Sequence, residues 1–282
     1  MRVATEVGGN ALIPAGLDAS LLLLRHGESE WVERGLFQGQ GDSPLTALGR
    51  RQAALAAARI AQARRPPALP VPARAPESIV HSPLARAATT AAAVAAALTG
   101  AAAAGDAPGP VAMRADPGFL EIGQGEWEGL PGEAIAERWP DVLEGWRRDP
   151  LTAWAPGGES LDEVDARVRA ALGRVLADLA ASPRRPDGPS SPVLGYADTP
   201  ADHAWTVIVA HDGVFKVVAL ALLGLPLARF WMLPFALCGI SVIELRNGRS
   251  RLRLHNATDH LAELETEAAA AREAARTETG AL

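Results

Sequence analysis

Several short apolar runs in the chain lack the alternation of a half-exposed strand, and the first is the four leucines at 21–24. Continuous runs of this length are typical of strands buried on both faces of a parallel sheet. Two later apolar runs flank Asn247-Gly248, a dipeptide that favours a tight turn between paired strands, so they predict a β-hairpin. The predicted strands are 21–24, 78–84, 204–211, 239–245 and 251–256.

Segments in which apolar residues recur with the helical period separate most of these strands. Thr46 is a favourable N-cap for the first helix, and the proline-rich segment after that helix cannot continue it. The stretch PGGES at 156–160 indicates a turn and a cap before another helix. The predicted helices are 46–63, 86–98, 133–146, 162–181 and 214–223.

Other segments are too rich in Pro, Gly, Ala or small polar residues to predict a buried element. We expect flexible surface loops at 64–76, 99–110 and 182–203. The end of the chain is rich in Ala, Glu and Arg and predicts a helix without an obvious packing partner. The predicted organisation is an extension at 1–20, a domain at 21–262 and a tail at 263–282.

Composition limits the classes of function. With 282 residues and 48% hydrophobic content, the chain can form a sizeable core in one domain, or in one domain with an inserted cap. A net charge of -6 gives no bulk attraction to nucleic acid or anionic membranes, so phosphate binding needs a local cluster of cations. Cys238 is the single cysteine, and no Cys/His pair has metal-ligand spacing. We therefore expect a reduced, cytoplasmic protein with no membrane anchor and no metal.

Strands that alternate with helices predict an α/β fold in which helices cover both faces of a parallel or mixed sheet. In such sheets, ligands bind in the crevice beyond the carboxyl ends of the strands. Three of the predicted strands lead into charged or nucleophilic side chains, which we expect to meet in that crevice. These side chains are Arg25 and His26, then Ser82 and Arg86, then His211 and Asp212.

Two histidines and two arginines in one crevice form a dense positive site that suits a phosphate. Arginine binds phosphoryl oxygens through paired hydrogen bonds and stabilises the charge that develops during transfer. A neutral imidazole can attack phosphorus through one nitrogen while the other is hydrogen bonded, which gives a phosphohistidine. The departing alkoxide then needs a carboxylic acid, and the segment 118–129 contains several.

Six motifs occur in the chain in a recognisable order. They are RHGESEW, QGQGDSPLTALGRRQA, SPLARAATTA, LEIGQGEWEG, PGGESL and VAHDGV. Across residues 21 to about 260 this order resembles the histidine phosphatase superfamily, in its phosphoglycerate mutase-like branch. The resemblance implies a three-layer α/β sandwich with a central, mostly parallel sheet, helices on both faces and a small cap from inserted segments. It also implies catalysis with no metal or organic cofactor.

The resemblance implies roles for five catalytic residues. His26 is implied to be the phosphorylated nucleophile, and Arg25 and Arg86 are implied to clamp the phosphate. His211 is implied to complete the phosphate pocket. Glu121 is implied to donate the proton to the leaving group and later to activate water. Two carboxylates of the same motif remain rival proton donors, namely Glu126 and Glu128.

Further substrate contacts are expected near the phosphate. Ser29, Gln38 and Gly39 are candidates because they follow the first strand in polar, turn-forming segments. The chain departs from the family at Val32, where the family usually has Asn, and at Asp212, where many members have Gly. Asp212 also belongs to the expected substrate-binding set. We expect its carboxylate to turn away from the phosphate and orient a neighbouring group, because it would otherwise repel a dianion.

The short segment ending in GEWEG is similar to the phosphatases of the family rather than to the mutases. We therefore expect hydrolysis of a small phosphorylated metabolite. Two alternatives stay open: a phosphoglycerate mutase-type phosphotransferase, and a weakly active member that binds phosphorylated ligands or a partner protein. The expected partner is a small phosphorylated substrate, with no nucleic acid and no membrane, and a homodimer is an open alternative to a monomer.

Overall fold

A computed structural model describes residues 11–103, 111–182 and 203–278. At its centre lies one mixed sheet. Its strands are β1 (Ala19–Arg25), β2 (Ser78–His81), β3 (Ala112–Ala115), β4 (Ala204–Ala210), β5 (Ile240–Arg246) and β6 (Arg249–Ala257). Their order across the sheet is β3-β2-β4-β1-β5-β6. The first four strands in that order are parallel, while β5 and β6 run antiparallel to their neighbours.

Helices follow most of the strands and cover the sheet. The α-helices of the described ranges are α1 (Glu30–Glu33), α2 (Ala47–Ala61), α3 (Ala85–Ala103), α4 (Gly132–Arg138), α5 (Pro140–Arg148), α6 (Leu161–Ala181), α7 (Asp212–Leu223) and α8 (Ala262–Glu278). Thr46 caps α2 as predicted, because its side chain accepts a hydrogen bond from the Gly49 amide.

The four leucines of β1 connect the sequence pattern to the layers. Leu21 and Leu23 belong to the core cluster that α6 and α7 share. Leu22 and Leu24 belong to the cluster on the other face, with α2 and α3. Successive side chains of a strand point to opposite faces, so an uninterrupted apolar run is what a strand covered on both faces requires. The predicted three-layer α/β sandwich is confirmed.

The predicted hairpin is also present, between β5 and β6. Asn247 and Gly248 both have positive φ, at 48° and 72°, which is the backbone of a two-residue hairpin turn. By contrast, the prediction of a single helix at 133–146 is wrong, because this segment forms two separate helices, α4 and α5. Pro140 causes the break: it excludes helical backbone at Trp139, which has φ -136° and ψ 55°.

Three other expectations change. β3 was not predicted, because it is an edge strand whose residues are mostly exposed and carry no apolar pattern. The predicted start of the loop at residue 99 is wrong, since α3 continues to Ala103. The helix expected at the end of the chain does have a packing partner. Leu264 of α8 is buried in the cluster that contains α2, and Glu267 forms an ion pair with Arg51 at 2.8 Å.

The remaining segments were predicted as loops or as an extension. Residues 64–76 form neither helix nor strand, although Leu69 and Val71 are buried. Ile13 and Leu17, within the predicted N-terminal extension, are buried as well. The rest of the other two predicted loops, 104–110 and 183–202, lies outside the described residues. In the part of the chain that is described, no helix combines the length and the apolar composition needed to cross a membrane.

Candidate active site

The carboxyl ends of β1, β2 and β4 meet at one edge of the sheet, as expected for neighbouring parallel strands. The His26 and His211 rings lie there with their centroids 4.9 Å apart. Arg86 enters from the first turn of α3, and its guanidinium bonds His211. The residues predicted from three separate strand ends are therefore neighbours in space.

The His26 ring is held in one protonation form. Its Nδ1 lies 2.6 Å from the carbonyl oxygen of Gly27, and a carbonyl oxygen can only accept, so Nδ1 carries the proton. The lone pair is therefore on Nε2. Burial, followed by the charges of Arg25 and Arg86, lowers the pKa of His26 well below its usual value. The imidazole is neutral at pH 7 and suited to act as a nucleophile.

His211 is fixed from both nitrogens. Its Nδ1 accepts a hydrogen bond from Nε of Arg86 at 3.2 Å, since a guanidinium can only donate. The proton is then on Nε2, which donates to Oγ of Ser82 at 2.8 Å. Burial is the main cause that lowers the pKa of His211 well below its usual value, and the positive charge of Arg86 adds to the effect. This ring is also neutral at pH 7.

Arg86 is fully buried, and the backbone orients its fork. Its two terminal nitrogens each donate at 2.8 Å, one to the carbonyl oxygen of Gly41 and the other to that of Gly39. Burial lowers the pKa of Arg86 to about 10, so the group still carries its charge at neutral pH. A buried guanidinium held by neutral carbonyls has net positive charge available for an anion.

Arg25 is the second cation of the site. One terminal nitrogen donates to the carbonyl oxygen of Phe235 at 2.6 Å. Its Nε is buried and has no hydrogen-bond partner in the described part of the chain. A buried charged donor without an acceptor is costly unless a ligand supplies one. This geometry fits an arginine that binds an anion.

The carboxylate of Glu121 lies at the start of α7, although this helix comes much later in the sequence than Glu121. Its carboxylate accepts backbone hydrogen bonds from Ile122 and Val214 at 2.9 Å and from Gly213 at 3.1 Å. The positive end of the α7 dipole favours a carboxylate at this position. Glu121 therefore faces the pocket from the side of the sheet where β4 ends.

A second network holds the backbone around Glu121. Glu159, from the PGGES stretch, pairs with Arg167 through both oxygens at 2.8 Å. Arg167 also donates to the carbonyl oxygen of Glu121 at 2.9 Å. Gln40 donates to that same oxygen at 3.2 Å and to Glu159 at 3.0 Å. The PGGES motif thus supports the segment that carries the predicted proton donor.

The rival carboxylates are placed differently. Glu128 accepts the backbone amides of Gln40 and Gln124 at 2.8 and 3.0 Å, so its carboxylate holds the loop together. Glu126 is exposed. Of the three carboxylates of this motif, Glu121 is the one that lines the pocket. Its role as the proton donor stays a prediction.

A pocket of about 170 Å³ is lined by Arg25 and Glu121, whereas His26, His211 and Arg86 are not among its lining residues. Gln38 and Gly39 line it, whereas Ser29 does not, and their contact with a substrate stays a prediction. Ser29 instead caps α1: its Oγ accepts from the Val32 amide at 3.4 Å and donates to Gln38 at 2.6 Å. Ser29 thus acts on the pocket through Gln38. The pocket is lined by Arg25, Phe37, Gln38, Gly39, Glu121, Ile122, Gln124, Trp146, Asp212, Gly213, Lys216, Phe230 and Trp231.

Asp212 is on the pocket wall, and both of its oxygens have partners. One oxygen forms an ion pair with Lys216, one turn further along α7. The other accepts the Phe235 amide at 3.1 Å. Phe235 also contacts Arg25, so Asp212 orients a neighbouring group as expected. Lys216 was not singled out from the sequence, although its spacing of four residues from Asp212 on a predicted helix indicates such a pair.

The comparison with known proteins agrees with this geometry. The chain matches the histidine phosphatase superfamily (branch 1) over residues 21–182 and 193–258, and it belongs to that superfamily. It is a phosphomonoesterase of this class, and the named relatives are phosphatases.

Two curated relatives cover most of the chain. Glucosyl-3-phosphoglycerate phosphatase of Mycobacterium tuberculosis is 34% identical over 211 residues, which are 74% of this chain and 78% of that protein. Phosphoserine phosphatase 1 of Hydrogenobacter thermophilus is 28% identical over 251 residues, which are 88% of this chain and 97% of that protein.

Two solved structures are also similar to most of this chain. One is a mycobacterial glucosyl-3-phosphoglycerate phosphatase in complex with VO3, with a TM-score of 0.61 and 30% identity over 85% of this chain and 99% of that one. The other is described as mycobacterial hydrolase 1, with a TM-score of 0.64 and 32% identity over 86% of this chain and 100% of that one.

Proposed function

We propose that the chain hydrolyses a small phosphomonoester through a phosphohistidine on His26, with no metal and no organic cofactor. The hydrogen bond from His26 Nδ1 to the Gly27 carbonyl, at 2.6 Å, is the observation that carries this proposal. It leaves the lone pair on Nε2 of a ring that is close enough to Arg25 and Arg86 for their charges to lower its pKa. Both arginines help to keep the imidazole neutral and can bind the phosphoryl oxygens that it attacks.

The reaction has two steps. In the first, Nε2 of His26 bonds to phosphorus, the phosphorus–oxygen bond to the leaving group breaks, and the leaving oxygen takes the proton of a protonated Glu121. In the second, the Glu121 carboxylate removes a proton from water, the water oxygen bonds to phosphorus, and inorganic phosphate leaves His26. Arg25 and Arg86 are the charged donors available to the transferring group in both steps.

The names of the relatives support a small substrate. Glucosyl-3-phosphoglycerate and phosphoserine are both small phosphomonoesters, and a pocket of about 170 Å³ suits a leaving group of modest size. We also propose a cytoplasmic location, which the single, buried Cys238 supports. Among the described residues, no three His, Cys, Asp or Glu side chains are grouped as metal ligands.

Phosphate release from a panel of phosphomonoesters, with EDTA present, tests the proposal. His26→Ala should lower the rate at least about 1000-fold. His203→Ala is the matched control, because His203 is also buried but bonds Ser20 near the start of β1, at the opposite end of that strand. Full activity of His26→Ala, or activity that EDTA removes and a divalent ion restores, would contradict the mechanism.

The intermediate can be observed separately. Quenching a reaction with a phosphate-labelled substrate should leave label on the protein that is stable to base and lost in acid, and none on His26→Ala. Vanadate should inhibit because its five-coordinate adduct resembles the transferring phosphoryl group. Adding glycerol as an acceptor separates hydrolysis from transfer. If most phosphate passes to glycerol rather than to water, the mutase-type alternative is favoured.

A further inference from the structure

The pocket has one wall that the proposed mechanism does not use. This wall, called the Lys216 wall below, consists of Lys216, Asp212, Trp146, Phe230 and Trp231. The Lys216 side chain is only 8% exposed. Its ammonium lies 5.3 Å from the centroid of the Phe230 ring and 5.1 Å from that of Trp231. A lysine side chain that is buried against two aromatic rings and one carboxylate is an unusual arrangement, and Lys216 lines the same pocket as Arg25 and Glu121.

The charges that line the pocket restrict what that leaving group can be. In the described part of the chain, the lining cations are Arg25 and Lys216 and the lining carboxylates are Glu121 and Asp212. Lys216 is neutralised by Asp212. The two cations left for the substrate, Arg25 and the buried Arg86, match the charge of one phosphate dianion.

A second anionic group on the substrate has no cation of its own. A carboxylate near Lys216 must compete with Asp212, which the Phe235 amide holds in place. It also lies close to the carboxylate of Asp212, and repulsion between like charges disfavours it in a partly buried site. An uncharged leaving group avoids both penalties.

The aromatic side chains indicate the shape of that group. The Trp231 ring is held edge-on by Trp146 at 5.6 Å and by Phe230 at 4.8 Å between centroids. Trp231 is nevertheless 46% exposed. A large, fixed and exposed indole next to paired donors and acceptors suits a ring that has apolar C–H faces and hydroxyl edges. The amides of Gln38 and Gln124 add further donors and acceptors at the same pocket.

We propose that the Lys216 wall binds the leaving group, and that the preferred substrates are phosphomonoesters of uncharged, polyhydroxylated rings. This inference rests on the proposed phosphatase function. The ring packs on Trp231, and its hydroxyls donate to Asp212 and accept from Lys216. The ion pair thus acts as one neutral donor–acceptor unit rather than as an anion receptor.

Kinetics with matched substrates test this proposal on the wild-type enzyme. Glucose 6-phosphate has an uncharged sugar ring, whereas 6-phosphogluconate has an open chain that ends in a carboxylate. 2-Deoxyglucose 6-phosphate serves as a second ring substrate and 3-phosphoglycerate as a second carboxylate. We expect kcat/KM for glucose 6-phosphate to exceed that for both carboxylates at least about 10-fold. A higher kcat/KM for the carboxylates would overturn the inference.

Variants locate the effect. Trp231→Ala should lower kcat/KM for glucose 6-phosphate about 10-fold more than for methyl phosphate, whose leaving group is too small to reach the wall. Trp154→Ala is the control, since Trp154 is 40% exposed and lies outside the pocket lining. Lys216→Met should reduce the glucose 6-phosphate preference. If it instead removes only activity on carboxylate substrates, Lys216 is an anion receptor and the inference is wrong.

The two proposals can fail separately. Methyl phosphate reports His26-dependent hydrolysis irrespective of the wall. If it is not hydrolysed, the proposed function fails and this inference fails with it. If it is hydrolysed but sugar phosphates have no advantage over carboxylates, only the inference about the leaving group fails.

Discussion

Replacing Gly213 with Ala should disable the proton donor without removing it. A Cβ at 213 would lie 2.7 Å from Oε1 of Glu121 and 2.9 Å from Cδ1 of Ile122. Ordinary contacts of a Cβ begin near 3.4 Å. The difference from 2.7 Å means that the Glu121 carboxylate or its segment must move by roughly 0.7 Å.

The magnitude follows from what that shift disturbs. The Glu121 carboxylate accepts backbone hydrogen bonds from Ile122, Gly213 and Val214, and loss of one charge-assisted bond costs about 1.5–3 kcal/mol. A misplacement of about 1 Å in a catalytic group costs up to about 100-fold. We therefore expect Gly213→Ala to lower kcat/KM for alkyl phosphates about 10- to 100-fold.

The assay compares leaving groups. p-Nitrophenolate leaves without a proton, so kcat/KM for p-nitrophenyl phosphate should fall much less than for methyl phosphate. Gly173→Ala is the matched control. Gly173 lies within α6 with open space around its Cβ, so this change should leave kcat/KM unaltered and stabilise the fold by about 0.5–1 kcal/mol. Equal losses on both substrates in Gly213→Ala would refute the reasoning, because they would indicate damage to the phosphate site instead.

Three further predictions follow from the same contacts. Glu159→Gln keeps the shape but weakens the ion pair that supports the Glu121 segment, so alkyl phosphate turnover should fall about 10-fold in steady-state assays while the melting temperature changes little. Burial lowers the pKa of both His26 and His211, so the unfolded chain binds more protons than the folded one as the pH falls through about 6.5, and the free energy of unfolding decreases there. In urea melts, the free energy of unfolding should differ less between about pH 7.5 and pH 5.5 when both His26 and His211 are replaced by Asn. An unchanged difference would mean that these two histidines do not cause the pH dependence. Leu264→Ala should destabilise the fold by about 2–3 kcal/mol in urea melts, and no loss would mean that α8 does not pack on α2 in solution.

Much of the fold follows from local pattern, because the pattern reports burial. Leu21 to Leu24 alternate between two cores, and that requirement alone defines a strand covered on both faces. The interruption before Pro140 could be predicted from the sequence as well, because proline disfavours helical backbone at the preceding residue. The strand β3 could not be predicted, because an exposed edge strand needs no apolar pattern and is fixed by its pairing with β2.

The residues of the site also differ in whether their positions could be predicted from the sequence. The positions of His26, Arg86 and His211 follow from strand ends that meet at one edge of a parallel sheet. The anchoring of Glu121 does not, because its carboxylate meets amides 92 and 93 positions away at the start of α7. The aromatic surroundings of Lys216 depend in the same way on how the segment 227–232 folds back over α7.

The abrupt change from leucines to Arg25 and His26 has a physical reason. A strand buried on both faces ends in a dry, rigid environment, where an imidazole loses its charge and remains nucleophilic. The same burial makes each arginine–phosphate contact stronger than in water, because fewer water dipoles compete with it. Arg86 retains its charge under this burial since its pKa, though lowered to about 10, stays above neutral pH. One environment thus neutralises the histidines and preserves the arginines, and phosphoryl transfer to His26 needs both conditions at the same time.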